Sequence, residues 1–459
     1  MKDHEAAFHL AFRENPFGGE FTIACGLAQV IGLVGEFRFR GSEIDYLAAQ
    51  RGNDGNQLFD VGFLEHLRAL RLTCDIDAVP EGTLIFPNEP LIRVCGPILQ
   101  CQLLETALLN ILNFQSLIAT KAARICLAAA SDPVIEFGLR RAQGVDGGLS
   151  AARAAYVGGC AGTSNLEAGN RFGIPVSGTQ AHSWIMFFED EREAFEKYAQ
   201  ALPNNCVFLV DTYNSLEGVR HAIDVARQLR KDRHEMVGIR LDSGDRVALS
   251  IEARKMLDHA GFPEAKIVCS GDLDEFAITE LKRRGARIDV WGVGTKLTTG
   301  CPDAALGGIY KLGAVRSPGG QWRYRIKLSD ETSKVSCPGL LQVRRYSDEH
   351  TKFIADAIYE IGHGIREPCV IVDPATDAHE EISPATRFAD LVVPIFRKGE
   401  VTCEPSKIHE SRNYTREQLD RAPPELLKLS NPSRYRVGFE KTLHELRSKL
   451  IARAKQQSK

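Results

Sequence analysis

The sequence predicts an α/β protein built on parallel strands, and three observations carry that expectation. From about Pro133 the chain repeats one rhythm: an apolar strand, a polar or glycine-bearing tip, then an amphipathic helix. The polar residues of the repeat fall at the tips, directly after the apolar runs. Before Pro133 and after about Ser317 the rhythm is absent. Strand–tip–helix units of this kind imply parallel strands with right-handed crossovers, hence an α/β barrel or an open doubly wound sheet. In either architecture ligands bind at the carboxyl ends of the strands.

Three regions follow from the same pattern: an N-terminal α+β part (1–132), the repeating α/β part (133–316), and a C-terminal part (317–459) that packs back on the first. In the N-terminal part, Phe21 to Ala24, Thr83 to Phe86 and Leu91 to Val94 are strand-like, the last two flanking the turn Asn88-Glu89-Pro90. Leu58 to Leu70 carries helical spacing of apolar residues. The apolar stretch from Ile98 to Ala130 is interrupted by Glu105, Asn110, Asn113, Gln115, Lys121 and Arg124. It is therefore expected to be a buried helix pair or one long core helix, not a membrane span.

In the repeating part the apolar runs are Pro133 to Phe137, Cys206 to Val210, Met236 to Ile239, Lys266 to Cys269 and Ile288 to Trp291. Helices are expected over 216–230, 247–259 and 275–284, and a strand from Leu306 to Leu312 closes the series. The tips hold Glu136, Arg140, Thr163, His182, Asp211, Arg240, Asp242, Asp272 and Thr295. Beyond Ser317 short strands (Leu340 to Val343, Cys369 to Val372) alternate with charged helices, the last from Phe439 to Ala454.

Composition narrows the function classes. A chain of 459 residues with 44% apolar and 25% charged residues is an ordinary globular protein of two or three domains. Lys plus Arg (57) against Asp plus Glu (60) leaves a net charge of -3, so no global basic field exists for nucleic acid, and anion binding must be local. The 12 cysteines form no C-x-x-C pair, which argues against a zinc site or a disulfide framework and for a reduced, cytoplasmic setting. Met1 to Glu5 has no signal-peptide character.

The candidate site lies between Glu136 and Ser183. Arg140 and Arg141 follow a strand beside Gly138, and the turns Gly162 to Asn165 and Gly178 to Ser183 offer backbone N–H groups to anions. Each feature has a plainer reading. Adjacent arginines are usually a solvated helix face, a lone His182 is more often a structural hydrogen-bonder, and Asp211, Asp242 and Asp272 could each simply cap the next helix. Gly292-Val293-Gly294-Thr295 falls short of a dinucleotide fingerprint and lacks a P-loop ending. Weight comes from their co-occurrence on successive units.

The ordered set Glu136 to Gly144, Gly147 to Ser150, Gly178 to Ser183, Val210 to Tyr213, Ile239 to Asp245, Gly292 to Thr295 and Leu306 to Leu312 closely resembles the nicotinate phosphoribosyltransferases. The similarity runs from Asn15-Pro16-Phe17-Gly18-Gly19 to Asn431-Pro432-Ser433-Arg434-Tyr435. It implies a type II phosphoribosyltransferase fold: an irregular α/β barrel of parallel strands, a second α+β domain built from both chain ends, and a homodimer. It implies transfer of ribose 5-phosphate from phosphoribosyl pyrophosphate to nicotinate in NAD salvage. ATP is a co-substrate and Mg²⁺ a cofactor, so the enzyme is ATP-dependent and ligase-classified, with His182 as the phosphohistidine. By motif, Phe137 stacks on the pyridine ring, while Arg140, with Arg141 beside it, and Arg240 contact phosphate or the nicotinate carboxylate. Asp211 and Asp242 lie near the ribose and Mg²⁺, Thr179 belongs to the His182 motif, and Gly271, Asp272, Gly292, Gly294 and Thr295 cradle the ribose phosphate.

Two points of detail follow from the resemblance. Family members carry, ahead of the Asn-Pro-Phe-Gly-Gly stretch, a helix whose tyrosine reaches the neighbouring subunit's site and covers the substrate ring. The first tyrosine here is Tyr46, so either the start is misassigned or truncated, or another group covers that face. In nicotinamide-using relatives an aspartate follows the turn matching Gly162-Thr163, whereas here the position is Ser164, which either reads the substrate or caps the helix beginning near Asn165. The alternatives are a phosphoribosyltransferase for nicotinamide or another pyridine, or a catalytically silent relative that binds phosphoribosyl pyrophosphate. The intact set Arg140, His182, Arg240 and Asp242 argues against silence.

Overall fold

The computed structural model describes residues 4–329, 331, 334–374, 376–382 and 387–457. Three larger sheets carry the fold. The first has seven strands in the order Arg323–Tyr324, Gly308–Arg316, Glu5–Phe12, Ile92–Pro97, Asp75–Ala78, Val393–Arg397 and Glu400–Val401, all antiparallel. It draws on both chain ends. Its inner strand Glu5–Phe12 is buried along almost its whole length, which matches the largely apolar character of a strand covered on both faces. The strand expected to close the repeating series, near Leu306 to Leu312, instead runs over Gly308–Arg316 and pairs with Glu5–Phe12. Local pattern could not show this, because the partner lies near the start of the chain, across the N-terminal and repeating parts.

The second sheet has six strands from the C-terminal part, Leu341–Ser347 to Arg436–Glu440, with one parallel pair, Phe353–Glu360 against Arg436–Glu440. Phe439 lies in that last strand, which ends at Glu440, so the final helix starts at Lys441 rather than Phe439.

Helix α1 (Ile98–Ala129) is a single 32-residue helix. Leu104, Leu108, Ile111 and Leu112 on its first half join the core under the seven-stranded sheet. Ile118, Ala119, Ala122, Ala123 and Ile125 on its second half join the core under the parallel strands. It is long and apolar enough to cross a membrane but serves here as the shared core helix. Its two cations are not left bare: Lys121 Nζ and Arg124 Nε reach Glu275 at 2.7 and 3.1 Å, with all three side chains buried.

The third sheet is parallel: β1 (Val134–Glu136), β2 (Gly162–Thr163), β3 (Val207–Leu209), β4 (Gly238–Leu241), β5 (Lys266–Cys269) and β6 (Val290–Val293). Its order is β2-β1-β6-β5-β4-β3, a ring open only between β2 and β3. The segment before His182 spans that opening. Thr163 bridges Val176 in parallel on one side, and Gln180 Oε1 accepts a hydrogen bond from Leu209 N (3.3 Å) on the other. The barrel is therefore closed irregularly, by a loop that carries site residues.

The helices after the strands are α2 (Val145–Val157), α3 (Leu166–Phe172), α4 (His182–Phe187), α5 (Glu191–Ala201), α6 (Ser215–Lys231), α7 (Arg246–His259), α8 (Glu275–Arg283) and α9 (Thr295–Thr298). Strand β4 starts and ends two residues later than the run Met236 to Ile239, taking Arg240 into the sheet. Strand β6 likewise runs through Gly292. A Cβ there would stand 2.8 Å from the Phe137 ring, so only glycine lets the strand pass beneath it.

Candidate active site

The carboxyl ends of the parallel strands surround a cavity of about 1080 Å³. It brings together Phe137, Arg140, Arg141, Ser164, Thr179, His182, Arg240, Asp242, Gly271, Asp272, Gly292, Gly294 and Thr295. Asp211 is set behind this wall, its side chain only 1% exposed. The helix caps decide the ambiguity of the strand-end aspartates. Asn214 caps α6, Asp245 caps α7 and Asp274 caps α8, so Asp211, Asp242 and Asp272 are not used as caps.

Between β4 and β5 the side chains form a closed polar set. Arg240 donates through Nη2 to Asp242 Oδ1 (2.7 Å), through Nε to Ser270 Oγ (2.8 Å) and through Nη1 to Thr179 Oγ1 (2.8 Å). Ser270 Oγ also donates to Asp242 Oδ1 at 2.5 Å. Burial works to raise the Asp242 pKa, but the Ser270 hydroxyl, the Arg240 guanidinium and nearby His182 outweigh it and hold the carboxyl below its usual range. Arg240 is thus a paired cation. Arg140 and Arg141, on the turn Leu139–Arg141, are exposed and form no ion pair among the described residues.

His182 opens α4 with its side chain 40% exposed. Its Nδ1 lies 3.1 Å from Thr212 Oγ1, while Nε2 lies 3.8 Å from Asp242 Oδ2 and 4.0 Å from Asp211 Oδ1. Asp211 Oδ2 accepts from Asp242 N (2.9 Å) and Ser243 Oγ (2.7 Å), whereas its buried Oδ1 has no hydrogen-bond partner among the described residues. An unpartnered buried carboxylate oxygen facing the same nitrogen as Asp242 marks a place for positive charge.

At the opposite end, Phe137 packs its ring against Gly292, with the Arg240 guanidinium 5.6 Å from the ring centroid. The turn that carries it is pinned from below by the buried Glu136, which accepts from Thr163 Oγ1 (2.6 Å) and from Gly138 N. Burial pushes the Glu136 carboxyl up, against the pull of these two donors. Ser164 N donates to Glu136 O (2.9 Å), and Asn165, not Ser164, caps α3 by accepting from Glu167 N and Ala168 N. That leaves the Ser164 side chain to the cavity.

The tips of β5 and β6 are tied together. Asp274 Oδ1 caps α8 through Ala277 N (2.7 Å), and its Oδ2 takes Lys296 Nζ (2.6 Å) from the turn after β6. Burial opposes ionisation of Asp274, but Lys296 and the cap hold its carboxyl down, and the same pair raises Lys296. Gly271 and Asp272 both adopt positive φ, +85° and +48°. A Cβ on Gly271 would stand 2.2 Å from Asp242 O, so the turn requires glycine there. Asp274→Asn keeps a capping oxygen but loses the ion pair. We expect it to raise the KM for the phosphorylated substrate severalfold with little change in kcat, as Lys296→Met should, because both loosen one loop against the other. The double variant should fall short of additive by about 0.5–1 kcal/mol, as for a partly exposed pair. Additive effects from steady-state kinetics would show that the tie does not hold the loops.

Several site residues escaped sequence reasoning. Ser270 follows an apolar run directly and Thr212 stands one residue beyond the tip Asp211, so that signal was present. Gln180 could not be found, because its role is to bridge to β3. Arg246 follows a capping aspartate and reads as helix surface, yet it lines the cavity.

Comparison with known proteins agrees with this geometry. Residues 1–113 match the nicotinate phosphoribosyltransferase (NAPRTase) N-terminal domain, 133–317 the nicotinate phosphoribosyltransferase (NAPRTase) family and 341–447 the nicotinate phosphoribosyltransferase C-terminal domain. The chain is 41% identical to the nicotinate phosphoribosyltransferase of Bacillus subtilis over 98% of this chain and 92% of that one. It is 34% identical to the human nicotinate phosphoribosyltransferase over 97% and 92% of the two chains. The crystal structure of human nicotinic acid phosphoribosyltransferase superposes with a TM-score of 0.85 at 31% identity, covering 98% of this chain and 96% of that chain. Sequence, fold and near-complete coverage agree, and the chain belongs to the nicotinate phosphoribosyltransferase family.

Proposed function

We propose that the protein transfers the ribose 5-phosphate of phosphoribosyl pyrophosphate to the ring nitrogen of nicotinate, giving nicotinate mononucleotide and pyrophosphate. The observation that carries this is one cavity lined both by an aromatic face with unpaired cations and by glycine-bearing turns, with Asp242 in its wall and Asp211 behind it, both facing His182 Nε2. At one end Phe137 offers an aromatic face, and Arg140 and Arg141 offer cations without carboxylate partners for the nicotinate carboxylate. At the other end the turns Gly271-Asp272 and Gly292 to Thr295 receive the ribose phosphate. Displacement at the anomeric carbon passes through a cation-like centre, which the ionised Asp242 stabilises from close by.

Asp211 Oδ1 and Asp242 Oδ2 are hard oxygen donors facing one point, and a Mg²⁺ held by one or two carboxylates plus substrate phosphates suits them. When bound there it would neutralise charge on the leaving pyrophosphate. ATP coupling is assigned to His182. Because Nδ1 is engaged by Thr212, Nε2 is the nitrogen left to take the γ-phosphoryl group, ADP leaving and water later releasing phosphate. A homodimer fits the exposed apolar side chains Val145, Leu166, Met186 and Phe187 on α2, α3 and α4, the helices that follow cavity-lining turns. The test is stoichiometric. Purified protein with nicotinate, phosphoribosyl pyrophosphate and Mg²⁺ should form nicotinate mononucleotide and pyrophosphate one to one, and chelation should stop both. Pyrophosphate release without nucleotide would refute transfer to the pyridine.

A further inference from the structure

Arg246 occupies the first position of α7, where the partial positive charge of the helix end disfavours a cation, so helix stability does not account for it. Its neighbours do not account for it either. Among the described residues its guanidinium forms no ion pair and no hydrogen bond, and its Nε is buried without a partner. Of the nearby carboxylates, Asp245 caps α7 and lies 3.9 Å from Arg284, and Asp242 is taken by Arg240 and Ser270. A desolvated guanidinium donor with no acceptor is costly, and an anionic ligand removes that cost.

Position identifies the ligand. Arg246 lines the cavity, and its Nη2 lies 3.1 Å from where a Cβ on Gly271 would stand, so it backs the left-handed Gly271-Asp272 turn. That turn belongs to the set read above as the phosphate cradle, so Arg246 stands at the phosphate side of the cavity. We propose that Arg246 binds the 5-phosphate of the phosphoribosyl donor. The inference rests on the phosphoribosyl-transfer reading given above.

The test uses the full chain and two probes, ribose 5-phosphate and pyrophosphate, with calorimetric binding alongside steady-state kinetics. Arg246→Leu should weaken ribose 5-phosphate binding by at least about tenfold and raise the KM for phosphoribosyl pyrophosphate in parallel, with kcat changed less than about threefold. Arg246→Lys, which keeps the charge without the fork, should recover part of the loss. Pyrophosphate binding should stay within about twofold in both variants, at an unchanged melting temperature. Unchanged ribose 5-phosphate binding in Arg246→Leu overturns the proposal, as does weakening confined to pyrophosphate. Wild-type protein that binds ribose 5-phosphate but makes no nicotinate mononucleotide would count against the transfer reading, while the contrast between variants would still decide the role of Arg246.

Discussion

His182→Ala is expected to lower ATP hydrolysis to below about 1% of wild type while leaving a weak, ATP-independent formation of nicotinate mononucleotide. The asymmetry follows from how the cavity is built. His182 enters from the loop that spans β2 and β3, whereas the ring end is supplied by β1 and the phosphate end by β5 and β6. Removing the imidazole, whose Nε2 faces the two carboxylates, would take away the proposed phosphoryl acceptor without removing a group from either binding end. A hundredfold loss corresponds to about 2.7 kcal/mol, within reach of deleting a nucleophile. Phosphate release from ATP, measured beside nucleotide formation, checks both halves. Unchanged ATP stimulation in the variant would show that the phosphoryl acceptor lies elsewhere.

Ser164→Asp should lower kcat/KM for nicotinate by more than about tenfold, a loss above roughly 1.4 kcal/mol, and shift preference towards nicotinamide. Ser164 lines the cavity on the same tip as the buried Glu136–Thr163 pair, and Asn165 has relieved it of capping. A carboxylate at this position would face the carboxylate of nicotinate. Two like charges about 4 Å apart at an effective dielectric of about 20 repel by roughly 4 kcal/mol, which exceeds what a rearranged side chain recovers. Serine avoids that repulsion and can donate its hydroxyl to the substrate. Ser164→Asn keeps the side chain neutral, so it should perturb selectivity far less. Competition between the two pyridines measures the ratio. Equal losses for both in the aspartate variant would mean that the position shapes the turn and does not read the ligand.

Much of this site was legible before any coordinates, and the reason is local. Parallel strands put their tips at one end of a barrel, so polar residues after apolar runs were candidates; Arg140, His182, Arg240, Asp242, Asp272 and Thr295 line one cavity, while Glu136, Thr163 and Asp211 lie behind its wall. Even the ambiguity over Asp211, Asp242 and Asp272 could have been reduced. Asn214, Asp245 and Asp274 stand closer to the helix starts and make better caps. What stayed hidden depends on distant partners. The pairing of Gly308–Arg316 with Glu5–Phe12, the burial of Lys121 and Arg124 against Glu275, and the bridging of β2 to β3 by 176–180 all join segments far apart in sequence. Arg246 was invisible for a different reason: nothing in a helical pattern distinguishes a solvated arginine from one that turns into a cavity.

The central claim is that this cavity joins nicotinate, and not its amide, to a phosphoribosyl group with help from ATP. A single-turnover experiment with radiolabelled nicotinate or nicotinamide, phosphoribosyl pyrophosphate and Mg²⁺, run with and without ATP, tests it most directly. The account predicts labelled mononucleotide from nicotinate, more of it with ATP, and little from nicotinamide. Preferential labelling from nicotinamide, or no mononucleotide from either pyridine, would contradict it.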